Sequence, residues 1–312
     1  MVKEVYSYFY LESFQMKLLY FLLILFIPSL CKAQAGPVKL KTNTDDNTLL
    51  WEVSGKGLRV PSYLFGTFHL LCKDDISFSS TLKQAINNAS GVYLEMDMDD
   101  PATLFGGLML MNMKGNKKLK DLYTEAEYKR LVDFFKDSMQ TPIYLFQSMK
   151  PYFLVAMLYP KMMPCGSVSS VEEGIMKLAK ENKKEIKGLE TMAFQASVFD
   201  SIPYETQATE LLKAIDSMDR SRLYFDSMVI AYKKQRMNEL ETFLNSDEFG
   251  MQDNQDILLD KRNRNWVEQL KLIMKKEPVF VAVGTGHLPG KTGLITLLRR
   301  EGYTVRPLEN RE

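Results

Sequence analysis

The chain contains two histidines, His69 and His287. Both stand in the same five-residue frame: Gly66-Thr67-Phe68-His69-Leu70 and Gly284-Thr285-Gly286-His287-Leu288 each read G-T-x-H-L. Each frame follows a β-rich apolar run, Tyr63-Leu64-Phe65 before the first and Val279-Phe280-Val281-Ala282-Val283 before the second. A glycine after a strand lets the chain turn sharply and brings backbone close to a ligand. Open α/β sheets bind ligands outside the carboxyl ends of their strands. A His three residues past each Gly is therefore predicted to project into such a crevice. Neutral imidazoles there suit a divalent transition metal, Mn, Co or Zn. Two similar strand-turn units could carry the frame for packing alone, but Leu or Val would pack as well at lower desolvation cost.

Other polar groups reach strand ends in the same way. Glu95 closes Gly91-Val92-Tyr93-Leu94-Glu95, and Glu190 closes Ile186-Lys187-Gly188-Leu189-Glu190. Gln195, five residues after Glu190, can reach back from the first turns of a helix. Arg262 lies in the charged run Asp260–Trp266 at the start of a long helix. Such a run is usually a solvated face, but an Arg beside a metal could hold a substrate carboxylate or an oxyanion. Asp97, Asp99 and Asp100 follow Glu95 as a run and read as a solvated loop. Two His cannot saturate a metal, so a carboxylate must join them. Glu95 and Glu190 are expected to share two roles: third ligand and general base. Activity that rests on two neutral imidazoles is expected to fall as pH drops through about 6.

The elements that must position these groups are short and well separated. Strands are predicted at Thr48–Val53, at Pro61–Phe68 with a break at Gly66, and at Gly91–Met96. Further strands are predicted at Glu185–Leu189, Pro278–Val283 and Tyr303–Pro307. Helical periodicity covers Ser79–Asn88, Glu125–Met139, Ser170–Asn182, Tyr204–Met218, Leu223–Leu244, Ile257–Lys275 and Thr292–Arg300. Strands alternate with helices at both ends of the chain, and the middle is mostly helical. That pattern predicts an α/β fold: a mixed or mostly parallel central sheet flanked by helices, with a helical insertion at roughly residues 100–270.

The 312 residues carry 40 Lys+Arg against 39 Asp+Glu, a formal net charge of +1. Leu18–Leu30 is a nearly unbroken apolar run, shorter than the ~20 residues a spanning helix needs. Ala33-Gln34-Ala35 follows it, the small-residue pattern of signal-peptidase cleavage. Residues 1–35 are therefore read as a signal peptide, with Met16 a more ordinary start than Met1, and residues 36–312 as one domain that includes the helical part. The expected location is periplasmic or extracellular, with no stable membrane span after cleavage. Residues 1–35 hold Lys3, Lys17 and Lys32 against Glu4 and Glu12, so the remainder is neutral. No basic excess or stripe marks a nucleic-acid binder. Cys72 and Cys165 are the cysteines left after processing. An oxidising compartment favours a disulfide between them, and two buried thiols are the alternative.

Several other chemistries fail on residues. Gly290-Lys291-Thr292 resembles the end of a phosphate-binding loop, but Thr285 stands where the required glycine would fall. H-E-x-x-H and G-x-S-x-G are absent. The pieces that remain are LLWEVSGKGLRVPSYLFGTFHL (49–70), GVYLEMD (91–97), KEIKGLETMAFQ (184–195), DKRNRNW (260–266) and FVAVGTGHLPGKTGLITLLRREGYTV (280–305). Together and in this order they resemble the TraB/GumN family, which includes the Tiki metalloproteases that trim secreted Wnt proteins. The paired G-x-x-H motifs are that family's hallmark.

The resemblance implies an α/β core with an active site made of His69, His287, Glu95, Glu190 and Arg262, joined by Gln195. With a leading signal-like segment and no tail anchor, the chain looks like the family's bacterial secreted branch. The implied activity is metal-dependent hydrolysis of peptide bonds, with a peptide or protein as partner. The alternative is an extracytoplasmic binding protein for haem, metal or a small ligand. The wider superfamily resembles haem-binding and esterase-like proteins, and a shared fold does not set a reaction.

Overall fold

Strand β7, Val279–Gly284, is the apolar run that precedes His287, and it lies at the heart of the molecule. Its residues Val279 to Val283 are fully buried. An apolar strand buried on both faces belongs inside a parallel sheet. Each of its valines contributes about 1.5–3 kcal/mol by leaving water. The computed structural model describes residues 39–42, 45–98, 107, 109–246 and 254–311. The signal-like segment, Asp99 and Asp100 lie outside these.

Six strands form the main sheet in the order β6-β4-β7-β2-β1-β8: β1 is Leu50–Ser54, β2 Ser62–Thr67, β4 Gly91–Met96, β6 Glu185–Glu190 and β8 Thr304–Pro307. β2, β7, β4 and β6 are parallel neighbours, and β1 runs against both β2 and β8. A short antiparallel pair, β3 (Leu71–Cys72) with β5 (Val168–Ser169), stands apart from the main sheet. The predicted α/β fold with a mostly parallel sheet is what the chain forms. Two expectations are corrected. β2 does not break at Gly66 but runs through it to Thr67. The glycine is needed because a Cβ there would lie 2.8 Å from Thr285 Oγ1. β6 extends one residue further than expected, so that Glu190 is itself its last residue.

Among the described residues the helices are α1 (Ser80–Asn88), α2 (Glu125–Asp137), α3 (Pro151–Ala156), α4 (Tyr159–Met162), α5 (Val171–Glu181) and α6 (Met192–Asp200). They continue with α7 (Tyr204–Asp216), α8 (Met218–Lys233), α9 (Met237–Leu244), α10 (Lys261–Lys276) and α11 (Leu294–Arg300). Side chains start several of them. Ser79, Ser170 and Thr191 accept from backbone N–H groups in the first turn, and Thr124 with Glu127 forms a capping box.

The single helix expected over Leu223–Leu244 is two helices. Gln235 between them adopts a left-handed φ of 55°. Its side chain accounts for this, since Oε1 accepts from Leu49 N at 3.1 Å and from Asn310 Nδ2 at 3.0 Å. A π-helical turn, Asp256–Asp260, precedes α10. α3 and α4 were not anticipated, being short and lacking a long apolar stripe, whereas α6 is the helix from whose first turns Gln195 was expected to reach back.

The sheet and the helices against it share one hydrophobic core. A second cluster, including Leu131, Phe135, Leu154 and Leu211, joins α2, α3 and α7. Lys150, buried at the start of α3, reaches from that cluster to α6. It donates to Leu110 O and Ala196 O, each at 2.9 Å, and pairs with Asp200 Oδ1 at 2.9 Å. All three ammonium protons are thereby satisfied, which is what a buried lysine requires.

Candidate active site

The parallel neighbours β6, β4, β7 and β2 end at one edge of the sheet, and each delivers a group there. Across the edge the order is Glu190, Glu95, His287, His69. Register places Met96 opposite Glu190 and Thr67 opposite Gly284. The sequence order 69, 95, 190, 287 is thus rearranged by β7 inserting between β2 and β4.

Arg262, in the first turn of α10, is the hub. Its Nε donates to Glu190 Oε1 and Oε2 at 3.1 and 3.0 Å. Nη2 donates to Glu190 Oε2 at 2.8 Å and to Glu95 Oε2 at 2.6 Å. Nη1 donates to Leu258 O at 3.0 Å and faces His287 Nε2 at 3.3 Å. The guanidinium also lies 4.8 Å from the Trp266 ring centre. Asp260–Trp266 is thus not a wholly solvated face, because Arg262 and Asn263 are turned inward. Gln195, on α6, donates from Nε2 to Glu95 Oε2 at 3.2 Å and to Glu190 Oε2 at 3.4 Å. Five of the six anticipated residues therefore make direct contacts with one another. His69 joins them across Gly284, where a Cβ would lie 3.1 Å from Glu95 Oε1 and 3.4 Å from His69 Nε2.

Two residues that sequence reasoning passed over complete the cluster by holding the imidazoles. His287 Nδ1 lies 2.6 Å from Asn263 Oδ1. The Asn263 amide is oriented by Nδ2 donating to Thr292 O at 2.9 Å. An amide oxygen only accepts, so Nδ1 carries the proton. His69 Nδ1 donates in the same way to Glu172 Oε1 at 2.7 Å. Asn263 sits inside the Asp260–Trp266 run, next to Arg262. Glu172 is the third residue of Ser170-Val171-Glu172-Glu173, where it reads as an ordinary acidic residue of a helix's first turn.

The charges differ sharply from residue to residue. Burial would raise the Glu95 pKa, but His287, Arg262, His69 and the Gly284 N–H hold it well below the usual carboxylate range. Burial wins at Glu190 and raises its pKa against the pull of Arg262. Burial would lower the Arg262 pKa, but Glu95 and Glu190 raise it. Burial, with Arg262 and His69, pushes the His287 pKa well down. For His69, whose side chain stays 72% exposed, desolvation by the neighbouring strand ends acts downward as well, but the hydrogen bond and charge of Glu172, helped by Glu95, lift it to about 9. The imidazoles therefore do not titrate alike near pH 6. His287 is neutral, and His69 holds a proton that a metal would have to displace.

The donor set suits a divalent metal in its chemistry. Each imidazole has its Nδ1 proton engaged by an acceptor, the arrangement that turns Nε2 to a metal, although at His287 a metal would displace the Arg262 Nη1 contact with Nε2. Glu95 Oε1 and His69 Nε2 flank a cradle at Gly284 that a Cβ would fill. Three carboxylates face one guanidinium and two imidazoles, so the cluster has negative charge for a cation to offset. The donors are not drawn into a ready cage: among the described residues, no group of three or more His, Cys, Asp and Glu is placed to hold a metal ion.

The TraB/PrgY/gumN family model matches residues 49–307. The chain is 22% identical to "Metalloprotease TIKI1" of Danio rerio, over 86% of this chain and 65% of that protein. It is 24% identical to "Metalloprotease TIKI2" of Danio rerio, over 84% and 61%, and 23% identical to "Metalloprotease TIKI1" of Homo sapiens, over 83% and 61%. The chain thus spans less than two thirds of the length of these curated relatives. No solved structure matches it.

Proposed function

The chain belongs to the TraB/PrgY/gumN family, and from that premise we propose that it is a divalent-metal-dependent hydrolase of peptide bonds acting outside the cytoplasm. The observation that carries this reading is the pair of imidazoles at neighbouring strand ends, each with Nδ1 fixed by an acceptor, beside Glu95. His69 and His287, through Nε2, and Glu95 would hold the metal. When bound, that metal would polarise the scissile carbonyl and acidify a water.

The chain's own residues supply the rest. Glu190 accepts the proton of the attacking water. Its raised pKa brings a carboxylate closer to the neutral range, where a general base works best. Among the described residues its Oε1 accepts from Arg262 Nε alone, which leaves a lone pair for that proton. Gln195 bridges Glu95 and Glu190 and keeps the two carboxylates in register. Arg262, whose donors are engaged by Glu190, Glu95, Leu258 O and His287, would offset the negative charge that develops on the carbonyl oxygen by its own charge rather than by a hydrogen bond.

Residues 1–35 are read as an export signal and 36–312 as one domain that includes the helical subdomain at roughly 100–270. The Cys72–Cys165 disulfide supports export, since such bridges persist in oxidising compartments. Among the described residues no helix is long and apolar enough to cross a membrane.

The test is elemental analysis of protein purified without chelators, then digestion of a peptide library with Mn, Co or Zn. Cleavage with at least one metal, abolished by chelator and in His69→Ala and His287→Ala, is expected. Wild-type turnover in both His variants would end this reading. A Soret band with haem and no cleavage would move it to a binding protein.

A further inference from the structure

Glu172, the acceptor of the His69 Nδ1 proton, is a partly buried carboxylate that stands outside the proposed metal ligands and general base. Its Oε1 takes two hydrogen bonds, from Thr67 Oγ1 and from His69 Nδ1. Its Oε2 is buried and has no hydrogen-bond partner among the described residues. A desolvated carboxylate with one bare oxygen is costly unless its remaining partners are held in place. Glu172 and His69 therefore fix each other.

His69 needs such a partner. Its side chain is 72% exposed, so packing does little to choose its rotamer. His287, by contrast, is buried and packs its ring 4.4 Å from Trp266. The backbone is arranged to bring Glu172 within reach of His69. β3 begins two residues after His69, and α5 begins two residues after β5. Register pairs Leu71 with Ser169 and Cys72 with Val168. Lys73 N donates to Ser167 O at 3.0 Å, and Val171 N donates to Phe68 O at 3.1 Å. Cys72 and Cys165 are then covalently joined across 93 residues of chain. The bridge binds together the two segments that carry His69 and Glu172.

We propose that Glu172 is the positioning residue of His69. Held on α5 and tied to the His69 segment by the disulfide-closed β3–β5 pair, its carboxylate keeps the ring turned with Nε2 toward Glu95 and Gly284. The consequence for catalysis rests on the metal reading of the site. The placement of the ring does not.

The chain has only two His, so protein labelled with ¹⁵N-histidine shows two imidazole spin systems, and His69→Ala assigns them. In metal-free Glu172→Gln the His69 ring signals should move and those of His287 should stay. Glu172→Asp should restore the His69 signals in part, and Cys72→Ser/Cys165→Ser should move them in the same direction as Glu172→Gln. In the metal titration, Glu172→Gln should lose about 10- to 100-fold in affinity or rate, the usual effect of removing the group that orients a metal-binding His. His69 signals identical to wild type in metal-free, folded Glu172→Gln would overturn the proposal, as would a loss of stability with the ring unmoved. A wild-type protein that takes up no metal while the ring shift persists would refute the metal reading and leave the positioning role standing.

Discussion

Replacing Arg262 with Met removes the only cation bonded to both Glu95 and Glu190 among the described residues, while keeping most of its buried volume. Both carboxylates would then share the Gln195 amide with no guanidinium between them. Glu190's side chain is 1% exposed and Glu95's 14%, so water relieves little of this. Breaking a buried ion pair from one side costs about 3–5 kcal/mol. The variant's escape is to protonate one carboxylate. From an unfolded pKa near 4.3 to pH 7 is about 2.7 units, and at 1.36 kcal/mol each the escape costs about 3.7 kcal/mol. At pH 5 the same step costs about 1 kcal/mol. The remaining carboxylate has its pKa raised above the unfolded value, so the penalty grows as pH rises and vanishes below the unfolded pKa. Arg262→Met should therefore lose about 3–4 kcal/mol at pH 7 and only about 1 kcal/mol at pH 5. Urea unfolding at the two pH values, with the disulfide kept oxidised, measures both. Arg262→Lys, which returns the charge without the fork, should lose less and show a weaker pH slope. A loss that is the same at both pH values, or below about 1 kcal/mol at pH 7, would refute the account of Arg262 as a charge hub.

In metal-free protein the His69 ring should titrate at about 9, with His287 neutral throughout the neutral range, as read by imidazole NMR. Because its pKa is raised, His69 should favour folding fully below its ordinary 6.5 and lose that contribution as pH climbs through about 9; two rings titrating together near 6.5 would contradict this. Gly284→Ala sets a Cβ 3.1 Å from Glu95 Oε1 and 3.4 Å from His69 Nε2. It should cost about 1–3 kcal/mol in denaturant unfolding and weaken metal uptake by isothermal titration; unchanged uptake would place the metal elsewhere. Opening the Cys72–Cys165 bridge, which spans 93 residues, should remove about 2–5 kcal/mol of stability, seen as a lower unfolding midpoint in Cys72→Ser/Cys165→Ser. An unchanged midpoint would show that the bridge constrains nothing.

The groups of the candidate site were legible because chemical capability is written in residue type and local spacing. The repeated G-T-x-H-L frame needed no structure to single out His69 and His287. Period and composition likewise marked all six strands of the main sheet, since a short β-branched apolar run such as Val279–Val283, bounded by Pro278 and Gly284, suits a strand buried on both faces. The resemblance carried Arg262 and Gln195 to the same site. Tertiary structure alone decided what those groups face. Strand order put β7 between β2 and β4, so that Glu95 meets His287, distant in sequence, as well as His69 across Gly284. The partners of the two imidazoles, Glu172 and Asn263, are 103 and 24 residues distant along the chain, and nothing local to either His announces them. The charge states follow from those partners. Two histidines in one frame carry one intrinsic pKa, but a neighbouring carboxylate lifts one of them while burial beside a guanidinium depresses the other. Desolvation and Coulomb attraction depend on distance through space, and the chain acquires those distances only when it folds.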